Sequence, residues 1–547
     1  MLAPRARRRQ ACSARASSPA AARLSADASA LGRAGLGQGE QQGAGRQGRQ
    51  QQRREIGRRA RCGRGDNRRR PQDRVGNIGF ALHSLLPLRY HGHARSASAA
   101  GLPERSTHAI HNRTAAGVCT AISAGPGPGP AGTPTSLYNC RRSRPTSTHQ
   151  PGEPLNPSPA EHAAQDENYW AGVRAQYAVS ADFINLENGF FGVQATPVRQ
   201  AFQRYQEQLN LESAYFLRER FPARLAGVMR ALAGFTGADT AELVLTRNLM
   251  ESLNILLQGY AWRAGDEVVL AEHDYDSVIE TLEMVAARHA LALTRLTLPL
   301  EPDSDEQIVA LYEAALTPRS RVLLLTHMVH RTGQILPVAK IAAMARRHGV
   351  DVMVDAAHSF AQLDYRLPEL GADFVGVNLH KWLGAPLGLG LLYIRRPRVA
   401  DIAPLFGDTR RAADDINKLA HVGTVPPAPI LAIEDALAFH QAIGSARKEA
   451  RLRHLTQYWM ARLREVPGVR LFTPRAPQRS CAIAAFGVDG VAAQQVVRRL
   501  MDEYRIFTVV RSIGAEECVR VTPHLFTSIA QLDALVRAVG AIAAGAR

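Results

Sequence analysis

Lys381 ends the apolar run FVGVNLHK, and Asp355 and His358 end an earlier one, DVMVDAAH. A lysine at the mouth of an apolar strand loses hydration in its charged form, and its neutral amine is then a good nucleophile toward aldehydes. The chemistry this favours is Schiff-base formation. An acid one element earlier can keep a pyridinium nitrogen protonated, which a pyridoxal phosphate (PLP) electron sink requires.

Such side chains must be carried by rigid elements. The strand candidates are 242–246, 267–273, 321–327, 350–355, 372–378 and 388–394, short and almost continuously apolar. That texture predicts strands covered on both faces by helices, hence a mostly parallel α/β sheet. One intervening helix is well signalled: Pro337 opens it, Val338, Ile341, Ala342 and Ala345 make its apolar stripe, and Gly349 closes it. From Pro429 two long helices, about 430–443 and 446–465, lead into a smaller α/β segment.

Ligands of open α/β sheets collect at the carboxyl ends of the strands. Thr246, Arg247 and Asn248 follow the first candidate, His273 ends the second, and His327 and His330 follow the third. Asp355 and His358 follow the fourth; Asn378, His380 and Lys381 follow the fifth. Taken singly, a strand-end histidine is more often a hydrogen-bonded structural residue, and TRN can be plain helix capping. A metal-dependent hydrolase built on the histidines is a second reading, since His327 with His330 and Asp355 with His358 have three-residue spacing. It leaves Lys381 without a role, and the strand exits do not guarantee a shared face. No metal ligand set is assigned.

The net charge of +18 over 547 residues suggests nucleic-acid binding, but its distribution argues otherwise. Residues 1–150 hold 26 Arg, no Lys and 6 acidic residues, while the rest of the chain is close to neutral at −2. Residues 1–165 are rich in Arg, Ala, Gly, Ser and Pro, a composition expected to stay disordered. An organellar transit segment, a nucleic-acid arm and translation from a misplaced start compete for this stretch, and the last fits its length and Gly/Pro content best. The six cysteines form no CxxC pair, and no apolar stretch reaches the ~18 residues of a membrane span, so a cytoplasmic protein is expected. The resulting division is an extension over 1–165, a large domain over 166–428 with residues 182–200 as its N-terminal segment, and a small domain over 429–547.

The order TRNLMESLN, AEHDYDS, LLLTHMVHRTGQILPV, VDAAHS, NLHKW, HVGT and CVRVTPHLFTS closely resembles the class V aminotransferase family, from about residue 166 to the end, and within it the isopenicillin N epimerase-like branch. The resemblance implies fold type I: a large domain with a mostly parallel, helix-covered sheet and a smaller C-terminal α/β domain. It implies PLP as cofactor, Lys381 as the Schiff-base lysine that also moves the Cα proton, and Asp355 as partner of the pyridine nitrogen. His273 falls at the ring-stacking position, and His358 and His330 face the ring's phenolic oxygen. The phosphate falls at the helix start formed by Asn248, Leu249 and Met250, with Asn378 and His380 as side-chain donors. Thr424 falls where the family reaches the phosphate of a neighbouring subunit, which implies a homodimer. Arg520 matches the arginine that grips the substrate carboxylate, and Asn188 and Gly189 match the segment that closes over substrate.

Two positions depart from the family pattern. Leu249 and Met250 stand where many relatives have hydroxyl residues, so phosphate binding shifts toward backbone amides, Asn378, His380 and Thr424. Desulfurases carry a nucleophilic thiol on a loop well before the carboxylate-binding arginine, whereas Cys518 lies two residues from Arg520. Aminotransferase and epimerase outcomes remain open, with His330 or Tyr275 as the group on the second face of Cα; a desulfurase-like lyase is the alternative.

Overall fold

The protein is represented by a computed structural model that describes residues 159–408 and 410–546. The extension expected at 1–165 lies outside those residues up to 158, and its end is helical, with helices at Pro159–Ala164 and Glu167–Arg174.

Among the described residues thirteen strands follow in chain order: β1 Ile184–Asn185, β2 Leu243–Thr246, β3 Glu267–Ala271, β4 Ala292–Leu296, β5 Ser320–Thr326, β6 Asp351–Asp355, β7 Phe374–Asn378, β8 Gly390–Ile394, β9 Val469–Leu471, β10 Ala484–Val488, β11 Ile506–Phe507, β12 Val509–Ile513 and β13 Glu516–Val521. Seven make one sheet in the order β2-β8-β7-β6-β5-β3-β4. Strands β4, β3, β5, β6 and β7 run parallel, and β8 is antiparallel to both β7 and β2. The mostly parallel helix-covered sheet expected from the apolar runs is present, and β4 is an additional edge strand. Its burial is only partial, which explains why ALTRL lacks a continuous apolar signature.

Register decides where the chemistry sits. Thr326 pairs with Asp355, and both Asn378 and Thr246 pair with Gly390, so the polar strand ends emerge along one edge. Both faces of the sheet are covered. Leu253, Leu256, Val278 and Leu282 pack against Val268, Leu270, Val322 and Leu324 on one side. Val338, Ile341 and Ala345 pack against Val269, Leu323, Leu325 and Val354 on the other. Each such fully buried Val or Leu contributes about 2 kcal/mol relative to exposure. The helix expected after Pro337 runs Val338–Arg347 with the whole forecast stripe buried.

The small domain is a four-stranded antiparallel sheet, β12-β13-β10-β9, with helices Ala493–Tyr504 and Ile529–Ala544. Its core also includes Leu186, because β1 pairs in parallel with β11. Helix Pro427–Ile443, placed by sequence in the small domain, packs Ile430, Leu431, Ile433 and Leu437 into the core of the large sheet. The two cores meet instead within helix Ser445–Arg464, where Leu452 joins one and Leu455 and Trp459 the other. Among the described residues no helix is long and apolar enough to cross a membrane.

Candidate active site

A cavity of about 420 Å³ opens at the carboxyl ends of β5, β6 and β7 and reaches β12 and β13 of the small domain. Asn248, Leu249, Met250, Asn378 and His380 line one end of the sequence-derived set; Asp355, His358, Lys381 and His330 line its middle; Gly189 and Arg520 line the rest. Three forecast residues stand elsewhere: His273, Asn188 and Thr424 are not part of the lining.

Lys381 is half-buried by surface exposure because its side chain borders open cavity space, yet protein surrounds the amine. Burial pulls its pKa down from 10.5 to about 8; Asp355 and Glu187 pull it back up, while Arg520 and Arg511 push it further down. The Lys381 Nζ lies 3.0 Å from His358 Nε2, and Trp382 Nε1 donates to His358 Nδ1 at 3.4 Å. An indole N–H can only donate, so His358 Nδ1 is an acceptor. Burial also holds the His358 imidazole well below the usual range, hence neutral, with its one proton on Nε2. The Nε2–H then faces Lys381 and favours the neutral amine as its acceptor. The hydrogen-bond directions and the depressed pKa both raise the neutral share of a lysine that still holds its proton most of the time near neutral pH.

Asp355 is buried, and its carboxyl is raised to about 6 by burial, against the Ala357 N–H that Oδ1 accepts at 2.9 Å and the field of Lys381. A carboxylate in that position gains from a cationic partner.

At the other end, helix Leu249–Gly259 starts at the cavity wall with Asn248 as its cap. Asn248 Oδ1 accepts from Glu251 N at 2.9 Å, and Asn378 Oδ1 accepts from Leu249 N at 2.8 Å. Two first-turn amides are thus spent inside the chain. Asn378 spends its oxygen positioning the helix, which leaves its Nδ2 at the cavity wall as the side-chain donor expected for a phosphate. His380 Nδ1 donates to Leu389 O at 2.8 Å, so Nε2 can donate to an anion only from the protonated ring, a state that an adjacent phosphate favours.

The substrate end joins three residues singled out in the sequence, Asn188, Gly189 and Arg520, with three that were not, Glu187, Phe190 and Thr522. Asn188 is buried and fully used: its amide N–H is held by Thr522 Oγ1 at 2.6 Å and its side chain donates to Thr522 O at 2.7 Å. Its role is to fasten the segment beside β13, while Gly189 and Phe190 face the cavity. A Cβ on Gly189 would stand 2.8 Å from Arg520 Nη2, and one on Gly192 would stand 1.9 Å from Lys381 O, so the segment lies directly on both functional side chains' chain regions. Arg520 is 2% exposed, donates to His330 O at 2.9 Å and pairs with Glu187 at 2.5 Å.

His273 is displaced by a buried acid next to it. Asp274 accepts from Ala271 N at 2.8 Å and Thr326 N at 3.0 Å, and burial raises its pKa to about 7. This turn after β3 brings Tyr275 rather than His273 to the cavity, with its ring edge-on to His330 at 5.3 Å. Thr424 lies exposed on the loop before helix Pro427–Ile443, outside its own chain's cavity.

The arrangement fits pyridoxal phosphate. Thr326 Oγ1 and His330 Nδ1 are buried at the cavity without hydrogen-bond partners, as ring-facing groups would be before the ring is bound. The neutral amine of Lys381 suits an aldehyde, and the raised carboxyl of Asp355 suits a ring nitrogen that carries a proton.

The family description Aminotransferase class-V matches residues 195–541. The chain is 30% identical to an isopenicillin N epimerase of Streptomyces clavuligerus, over 68% of this chain and 98% of that protein. It is 26% identical to a probable cysteine desulfurase of Mycolicibacterium paratuberculosis, over 57% of this chain and 48% of the relative. Among solved structures, a mutant of C-DES with glycine covalently linked to its PLP cofactor superposes with a TM-score of 0.61, at 24% identity, covering 67% of this chain and 98% of that one. The family match spans well over half of the sequence and the epimerase is covered almost end to end; this chain belongs to the aminotransferase class-V family.

Proposed function

We propose that the protein is a PLP-dependent enzyme that acts at Cα of an amino acid or a small molecule containing one, as an aminotransferase or an epimerase. The observation that carries this reading is the placement of Lys381 Nζ, 3.0 Å from His358 and surrounded by protein, in the cavity that also holds the carboxyl of Asp355. When bound, pyridoxal phosphate supplies an aldehyde for amine capture and a ring that accepts the electron pair left at Cα.

The chain's own groups divide the remaining work. Asp355 holds the proton at the pyridine nitrogen. Arg520 binds the substrate carboxylate through the face of its guanidinium that borders the cavity, and its planar fork fixes the orientation of Cα. Lys381 Nζ removes the Cα proton and returns it. Tyr275 and His330, edge to face with one another, stand in the position of a group for the opposite side of Cα. The phosphate is held by the start of helix Leu249–Gly259 and His380, and Phe190 with Leu387 keeps water from the open side. Thr424, exposed and outside its own cavity, serves the phosphate of a second subunit in a homodimer.

Epimerase and desulfurase relatives support C–H and C–S chemistry alike at the family level. The described thiols argue against one form of C–S chemistry, transfer of sulfur onto a protein thiolate, and leave β-elimination open. Cys481 and Cys518 are both buried, and burial pushes them up to about 12 and about 11, so neither offers a thiolate to a substrate near neutral pH. The deciding experiment incubates the PLP-loaded protein with a panel of amino acids in deuterated water. With a keto-acid acceptor supplied, transfer of the amino group to it without free ammonia identifies an aminotransferase, and deuterium at Cα with inversion identifies an epimerase. Sulfide or persulfide released together with pyruvate and ammonia, or with alanine, would overturn the reading in favour of a desulfurase-like lyase.

A further inference from the structure

Two guanidiniums face the substrate end of the cavity. Arg520 on β13 and Arg511 on β12 both line it, and the antiparallel register sets Arg511 opposite Cys518 and Val509 opposite Arg520. Residues two apart share a face, so Arg511 and Arg520 are diagonal neighbours on the same side of this sheet. Arg511 is partly exposed; one of its nitrogens donates to Val510 O at 2.8 Å.

A single carboxylate stands against this pair. Glu187 Oε1 is 2.5 Å from Arg520 and 4.0 Å from Arg511, its side chain is 6% exposed, and its Oε2 has no hydrogen-bond partner. Glu187 does not line the cavity whereas both arginines do, so the acid backs the guanidiniums and leaves their other side to a ligand. The other ionisable groups near this end stand in opposite pairs or are neutral, and Lys381 faces the field of Asp355. Arg331 pairs with Asp276, and burial holds His330 and His358 neutral. Two positive charges and one negative leave one positive charge for an incoming carboxylate. Beyond it the wall is apolar or aromatic: Phe190 and Leu387 are 72% and 56% exposed, and Tyr275 adds its ring.

We propose that Glu187 is a specificity-determining residue: by cancelling one of the two guanidinium charges it restricts the site to α-amino acids that carry one carboxylate and an apolar side chain, and it turns away dicarboxylic amino acids. The proposal rests on the amino-acid reading of the site and names its substrate class. Glu187 acts through Arg520 and Arg511, so it is a positioning residue. A second substrate carboxylate meets no uncompensated cation, and an unpaired charge in a partly desolvated site is costly.

The test uses the PLP-loaded full chain. Dissociation constants for leucine and methionine are compared with those for glutamate and aspartate, from the shift in cofactor absorbance and independently by calorimetry. The wild type is expected to favour the monocarboxylic pair by about tenfold or more, the ratio that one 1.4 kcal/mol step sets. Glu187→Gln, which retains shape and one acceptor, is expected to shrink that preference by about tenfold, and Arg511→Gln to weaken leucine by a similar factor and glutamate by more. A wild type that binds glutamate as tightly as leucine overturns the proposal. So does an unchanged ratio in Glu187→Gln. Should that variant not fold, Arg511→Gln decides alone, and leucine binding unaltered by it overturns the proposal. If no amino acid perturbs a holoprotein whose absorbance band is intact, the functional reading itself fails and the proposal with it; charge-blind binding sinks only the proposal.

Discussion

The amine of Lys381 can be titrated against internal controls, because the chain has only four lysines. Its pKa, lowered from 10.5 to about 8 by burial, corresponds to ~3 kcal/mol of preference for the neutral form. At about pH 7.5 this makes roughly one amine in four neutral, against about one in a thousand for an ordinary lysine, a gain of about two orders of magnitude in nucleophile. Lys340 is the reference: it is exposed, and Glu306 and Asp305 hold it above the usual lysine range. Lys448 separates pKa from access. Burial lowers it to about 7, but it is 3% exposed and donates to Trp382 O, outside the lining of the active-site cavity. Apo-protein treated with pyridoxal and cyanoborohydride, then digested and mapped by mass spectrometry, is expected to carry label on Lys381, with a rate that rises through a midpoint near pH 8. Lys448 is expected to stay unlabelled. Asp355→Asn removes the leading charge that favours the ammonium, so the midpoint should move below 8. The linkage has a matching sign: the folded chain binds fewer protons than the unfolded chain between about pH 8 and 10.5, so this group's contribution to stability increases with pH across that window and its cost is fully present below it. A labelling midpoint near 10.5, or Lys340 reacting first, refutes the reasoning.

Three further outcomes follow from the same packing. Gly192→Ala places a Cβ 1.9 Å from Lys381 O, so either the segment or the lysine loop must shift; loss of the borohydride-sensitive absorbance band with retained circular dichroism is expected, and normal cofactor binding would contradict it. Asn188→Ala strands the buried Thr522 O acceptor and should cost about 1–3 kcal/mol in denaturant unfolding, with no change meaning the fastening role is wrong. Cys518→Ser should leave turnover intact, and iodoacetamide at pH 8 should spare Cys481 and Cys518 in peptide maps, since both thiols are buried and raised.

Much of this site was legible from strand exits. Near-continuous apolar runs ending in polar residues are a local signal, and they located Lys381, Asp355, His358, Asn378 and His380 on one sheet edge before any coordinates. The helix start at Asn248 was legible for the same reason. Residues whose placement depends on long-range pairing were not. Glu187 meets Arg520 only because β1 joins β11 and the Glu187 backbone bridges Thr522, contacts more than 300 residues apart in sequence. The displacement of His273 by Tyr275 depends on Asp274 reaching the Thr326 amide across two strands, and helix Pro427–Ile443 joined the large core through surfaces that amphipathic spacing alone does not assign to a partner. Asn188 was recognised by position, but its hydrogen bonds to Thr522 give it a fastening role that position does not convey.

The central claim is that Lys381 is the cofactor-bearing amine, and borohydride reduction of the PLP-loaded protein tests it most directly. After reduction, digestion and mass mapping, the account predicts a single pyridoxyl-modified peptide containing Lys381, with both the modification and the near-visible band absent in Lys381→Ala. Modification at Lys340, Lys418 or Lys448, or a band that survives in Lys381→Ala, would contradict it.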